Sequence, residues 1–162
     1  MRRRRAALAL SLGLVVLVAG WTGMRALETR RIRAALETAT REMADGHFAG
    51  AQALLVALNA QRPGRADILL PLGLCEQSQG RIDGTLDVWS CVAPGSIDAG
   101  PLSLRRGILA IEHGRLAIAE EALTRALREG HVNRDETRSA LARVLRLQGR
   151  LVELRERLTE GL

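Results

Sequence analysis

Four glycines, Gly46, Gly80, Gly114 and Gly149, recur along the chain at intervals of 34, 34 and 35 residues. Other columns travel with them. Seven residues before each stands a small side chain: Ala39, Gly73, Gly107 and Ala142. Two after comes a large apolar one, Phe48, Ile82, Leu116 or Leu151, and five after comes Ala51, Thr85, Ala119 or Leu154. Nine after lies Leu55, Trp89, Leu123 or Leu158, and twelve after lies Leu58, Val92, Ala126 or Gly161. Self-similarity at this period marks a stacked array, in which one unit cannot bury its own apolar face but several neighbours can.

Between the glycines the apolar rhythm is helical. Leu116, Ala119, Leu123, Ala126 and Leu127 fall on one stripe, as do Leu151, Leu154 and Leu158. Asn133 with Glu136 three residues later reads as a helix start. Pro101 suits a first helical residue, Gly130 a C-terminal stop, and Pro94-Gly95 ends the helix that carries Trp89. No segment alternates with β-branched enrichment, so no sheet is expected and the fold class is all-α. The last helix, from about Arg150, carries a polar face with Glu153 and Arg157 at i,i+4, suited to capping a solenoid.

These columns resemble the tetratricopeptide repeat (TPR) family, a 34-residue helix–turn–helix unit, over roughly residues 32–162. The small residue and the turn glycine are kept in all four copies. The closing proline appears only in the first, as Pro63, and the first-helix aromatic positions read Ala35 and Glu42, Leu69 and Glu76, Ser103 and Ala110, Arg138 and Leu145. The resemblance implies an α-solenoid with repeats at about 32–65, 66–99, 100–133 and 134–162. It also implies a concave surface lined by the first helix of each repeat. Carried over, that surface has Arg33, Leu36, Thr40 and Met43, then Asp67, Leu70, Leu74, Gln77 and Ser78. It continues with Leu104, Ile108, Ile111 and Glu112, and ends with Glu136, Ser139, Arg143 and Arg146. Its apolar centre (Leu70, Leu74, Leu104, Ile108, Ile111) suits an amphipathic helix or an extended hydrophobic segment of another protein, with Gln77 beside it and Arg143 and Arg146 placed for an acidic end. Packing of these side chains on neighbouring repeats is the competing expectation.

The amino terminus follows other rules. Arg2 to Arg5 form a basic start (residues 1–5), and residues 6–24 carry no charge, a length that spans about 30 Å of hydrocarbon as a helix. A transmembrane helix or uncleaved signal anchor is expected there, with 25–31 as a juxtamembrane linker and the repeat domain at 32–162. A cleaved secretory signal is the alternative. Arginines flank the span on both sides; those packed against its start favour a cytoplasmic amino terminus. The expected location is a bacterial inner membrane, single-pass, with the repeats in the periplasm and the lipid bilayer as a partner through residues 6–24.

Charge separates the same two regions. The chain is +6, which invites a nucleic-acid reading. Residues 1–33 hold eight arginines and one glutamate, however, and residues 34–162 hold sixteen arginines against seventeen acids. A near-neutral repeat domain with one phenylalanine, one tryptophan and no tyrosine offers few stacking platforms, so no nucleic-acid partner is expected. The arginines default to solvated faces.

His47, His113 and His131 lie at separate turns or helix ends, without metal-ligand spacing. Cys75 and Cys91 sit in poor register for a bridge and read as two small buried apolar residues, although an oxidising compartment would permit pairing. No nucleophile with its base stands out, and a chain without lysine cannot form a P-loop. The expectation is thus no enzyme, no cofactor, no metal and no small-molecule substrate. The function expected is a membrane-anchored adaptor or scaffold for assembly or quality control of an envelope complex, the alternative being a permanent accessory structural subunit of a larger membrane complex.

Overall fold

The computed structural model describes residues 28–150 and residue 152. All regular structure among them is helical. The helices are α1 (residues 28–44), α2 (Phe48–Gln61), α3 (Ala66–Ser78), α4 (Ile82–Ser90), α5 (Ala99–Glu112), α6 (Leu116–Glu129) and α7 (Arg134–Leu147). The chain divides into two compact units, up to Thr38 and from Ala39. In the first, the Thr38 hydroxyl donates back to the Ala34 carbonyl one helical turn earlier. The second contains the helical hairpins.

Each hairpin turns in the same way, and the reason is local. Gly46, Gly80, Gly114 and Gly149 all have φ between 69° and 81°, a left-handed conformation that glycine adopts without steric cost. Around each, two hydrogen bonds close the helix end. At Gly80, the glycine N–H donates to the Gln77 carbonyl (2.9 Å) and the Arg81 N–H to the Glu76 carbonyl (3.0 Å). The same pair recurs at Gly46, Gly114 and Gly149. This is the Schellman closure, which satisfies carbonyls a helix end leaves orphaned. The residue after each glycine, His47, Arg81 or Arg115, is the N-cap of the next helix.

The helix pairs then pack through the columns flanking the turns. A Cβ on Gly73 would lie 2.1 Å from Trp89 Nε1, and one on Gly107 would lie 2.7 Å from Leu123 Cγ. The large residue of the second helix therefore rests on the backbone of the first. Thr85, fully buried, donates its hydroxyl to the Gly73 and Arg81 carbonyls, both at 3.1 Å. Ala39 is buried and Ala142 half-buried. The continuous core joins Leu69, Leu86, Trp89, Leu109, Leu123 and Val144 across successive helices.

Several expectations are corrected. Among the described residues no helix is long and apolar enough to cross a membrane. Helices α2 to α7 have 9 to 14 residues, where a span needs about 20; α1 carries charges along its length. Among the described residues the fold is all-α with no membrane-spanning helix, and they carry neither the expected transmembrane helix nor the single-pass inner-membrane placement with periplasmic repeats built on it. Residues 6–24, on which that expectation rested, lie outside the described residues, as does the expected capping helix after Arg150 apart from Val152. Pro101 is the third residue of α5, not the first; its missing N–H still falls among those the first turn leaves unpaired. Cys75 is buried but Cys91 is exposed, and both are free thiols. The Asn133 side chain does cap α7, accepting from the Asp135 and Glu136 N–H groups.

Candidate functional site

Helices α3 and α5, the first helices of successive hairpins, border two hollows in series. The larger has a volume of about 420 Å³ and is lined by Leu74, Gln77, Trp89, Leu104, Arg105 and Ile108, with Glu112 at one side. The smaller, of about 220 Å³, is lined by Ala66, Asp67, Leu70, Leu102, Arg105 and Asp98. Pro101 and Arg105 belong to both and form the wall between them.

Sequence spacing on α5 explains the arrangement. Asp98, Arg105 and Glu112 are seven residues apart, about 10 Å per step along a helix and on nearly the same face. Leu104 and Ile108 fill the intervals. Leu70, Leu74, Leu104 and Ile108 are all half-buried and border a hollow; the three leucines also pack on the core.

Trp89 belongs to α4 but lines the larger hollow beneath the first helices, because Gly73 gives its ring room to pass. Its indole N–H reaches the Leu70 carbonyl at 3.4 Å. The Arg105 guanidinium carbon stands 5.9 Å from the ring centroid, within cation–π range. Arg105 is exposed, and no carboxylate or carbonyl is bonded to it among the described residues. Asp67, by contrast, is gripped by Arg65 through two bonds of 3.0 and 2.6 Å. The Arg65 guanidinium holds its carboxyl below the usual range.

A buried arginine and a half-buried one brace the groove from behind. Arg106 is 7% exposed; its Nε donates to the Leu86 carbonyl (2.9 Å) and its Nη1 to Glu121 (2.6 Å). On α6, Arg125 donates to the Ser90 and Val92 carbonyls (2.9 and 2.6 Å), and Glu129 accepts from the Gly95 N–H (2.8 Å). This i,i+4 pair fastens the connection that leads into Asp98 and α5. At the far end a Cβ on Gly100 would lie 1.8 Å from the Gly130 carbonyl oxygen, so α5 begins in backbone contact with the α6–α7 connection.

Of the groove residues expected from sequence, Leu70, Leu74, Gln77, Leu104 and Ile108 line the two hollows. Ile111, half-buried on α5, and Arg143 and Arg146, exposed on α7, line neither. Trp89, Arg105 and Asp98 were missed; the seven-residue charge spacing on α5 is the signal that points to the last two. Burial pushes the Cys75 thiol up, away from the thiolate a nucleophile needs. Among the described residues no group of three or more His, Cys, Asp or Glu side chains is placed to hold a metal.

No family model matches the chain, and neither does any curated protein. Solved structures do. The Yersinia enterocolitica type III secretion chaperone SycD, in complex with a peptide of the translocator YopD, superposes with a TM-score of 0.58 at 20% identity, over 72% of this chain and 93% of that one. PcrH from Pseudomonas aeruginosa gives 0.52 at 21%, over 70% and 85%. PcrH in complex with the chaperone binding region of PopB gives 0.52 at 21%, over 70% and 90%. The fold is TPR-like. At this identity the likeness concerns the path of the helices, and the side chains of the groove are this chain's own.

Proposed function

We propose that this chain is a non-catalytic, chaperone-like adaptor that holds an extended apolar segment of a partner protein in the groove between α3 and α5. The pair of hollows with a common wall carries the reading. An extended segment sends alternate side chains to one face, about 7 Å apart, so residues four apart on a ligand can seat one apolar side chain in each hollow. Half-buried leucines and isoleucine supply contact area without leaving the core. Helix backbones supply rigidity, which limits the entropy lost on binding.

The comparisons support a role in holding a segment of another protein. SycD and PcrH are chaperones whose structures hold a translocator peptide or a chaperone binding region. Keeping an exposed apolar stretch of a subunit covered until its own neighbour takes it would serve the assembly of a larger complex.

A nine-residue peptide library displayed on phage and selected on the protein tests this. Enriched clones should carry apolar residues four apart and lose binding to the Leu74→Glu/Ile108→Glu double variant, with the helical circular-dichroism signal kept. Clones whose binding is lost when a proline is placed between the two anchors would show a helical ligand instead. Capture indifferent to the double variant would remove the groove from the function.

A further inference from the structure

We propose that Arg105 makes the groove selective for a segment with a single carboxylate side chain midway between its two apolar anchors. The inference rests on the groove reading above and adds the ligand's charge pattern to it.

Arg105 is the only charged residue shared by the two hollows. A ligand seated in both must cross it. Its guanidinium rests over Trp89, which orients the plane and leaves the N–H edges for an acceptor. No described residue supplies that acceptor. Asp67, which faces the smaller hollow, is already bound by Arg65, and Glu121 is taken by Arg106. Asp98 and Glu112, at the two ends of α5, line one hollow each. The groove therefore reads negative, positive, negative along α5, with about 10 Å between steps.

An extended ligand matches that order. Side chains at positions i, i+2 and i+4 share a face over about 13 Å. Apolar residues at the two ends enter the hollows, and the middle one meets Arg105. A carboxylate there gains a charge-assisted, bidentate contact. Further acids toward the ends meet Asp98 or Glu112 and are repelled. The favoured ligand is thus one acid between two apolar anchors, not an acidic run.

The test uses fluorescein-labelled, amidated peptides, so that no terminal carboxylate competes, and fluorescence polarisation with the full chain. The parent is Gly-Ser-Leu-Ser-Glu-Ser-Leu-Ser-Gly. Its relatives replace the Glu by Gln or Lys, replace both Leu by Ser, or replace both terminal Gly by Glu, which puts the added acids on the groove face toward Asp98 and Glu112. The Glu peptide should bind about tenfold tighter than the Gln peptide, the scale of one hydrogen bond to a charged partner, and tighter than the three-acid peptide. Arg105→Gln should erase the Glu-over-Gln preference, read as the ratio of the two affinities within the variant, and Arg105→Glu should reverse it in favour of Lys. Arg105 is exposed, so these variants keep the fold, checked by thermal melting. Equal binding of the Glu and Gln peptides, or a preference that survives Arg105→Gln, overturns the proposal while the groove reading stands. Equal binding of the Leu and Ser-for-Leu peptides overturns the groove reading, and this proposal with it.

Discussion

The α3–α4 and α5–α6 hairpins are built on the same columns and filled differently. Both close with a left-handed glycine and both lay a large residue over a glycine. In α3–α4 that residue is Trp89, and the second helix has nine residues; in α5–α6 it is Leu123, and the second helix has 14. Leucine fills the space over Gly107 and stays in the core. Tryptophan is equally buried but reaches past Gly73 to border the larger hollow. One column thus supplies core packing in both hairpins, and in the first it also borders a hollow.

The turns differ as well. Arg81 pairs with Glu76 of its own turn at 2.5 Å, and a Cβ on Gly84 would meet that carboxylate at 2.9 Å. In the α5–α6 turn Ala110 stands where Glu76 stands, and Ile118 where Gly84 stands. Arg115 has no acid at that place and reaches back to Asp83 of the preceding hairpin, with two bonds of 2.8 Å. Arg81 also donates to Gln52 of α2 (2.9 Å), so both turns bond to the preceding hairpin, and only the first pairs with an acid of its own turn as well.

The largest effects should come from the paired column. Trp89→Ala should cost about 3–5 kcal/mol and Leu123→Ala about 2–5 kcal/mol. In urea unfolding both should lose stability, but only the tryptophan variant should also lose affinity for the parent peptide. Equal loss of affinity would mean that Trp89 serves packing alone.

Substituting the glycines beneath them separates the hairpins more sharply. Gly73→Ala drives a methyl into a rigid ring, and about 3 kcal/mol is expected, the upper part of the overpacking range. Gly107→Ala meets the end of a leucine that can shift, and about 1 kcal/mol is expected. A reversed order in denaturant midpoints would contradict the packing described here. The turn glycines should behave alike: Gly80→Ala and Gly114→Ala each force a left-handed alanine into open space, costing about 1–2 kcal/mol. A difference between the two well beyond that range would break the equivalence of the turns.

The smallest effect lies in the Arg115–Asp83 pair. Hydrogen bonding from Arg115 lowers the Asp83 pKa. The pair's stabilisation is therefore complete above the unfolded carboxyl value, about 4, and fades as pH falls through the lowered one. Melting temperature measured down from about pH 5 should show a shallow acid decline that flattens in Arg115→Gln, with little change at neutral pH, because exposed ion pairs contribute little. A large drop at pH 7 would show that the link between hairpins is stronger than an exposed pair allows.

Some of this was readable in advance because it is local. A glycine at C′ and the residues around it decide a Schellman turn within six positions of chain, and the 34-residue spacing repeats that decision. Asn133 caps α7 for the same reason. The small-over-large pairing was visible as two columns, although not that Trp89 would pass through to the groove. The solvated default for arginine failed at Arg106 and Arg125, whose partners come from helices and connections 15 to 35 residues away. Cys91 was expected to be buried, but α4 ends at Ser90 and leaves it outside.

The sequence by itself determined where the helices stop, which residues let them approach, and that the described chain is an array of helical hairpins, since each depends on backbone conformation and side-chain size within one repeat. Tertiary structure alone decided which leucines face a hollow as well as the core, that Trp89 and Arg105 meet there, and which arginines are buried. Those properties belong to the seam between repeats, where side chains distant in sequence divide the same space, and no periodicity within one helix specifies how that space is shared.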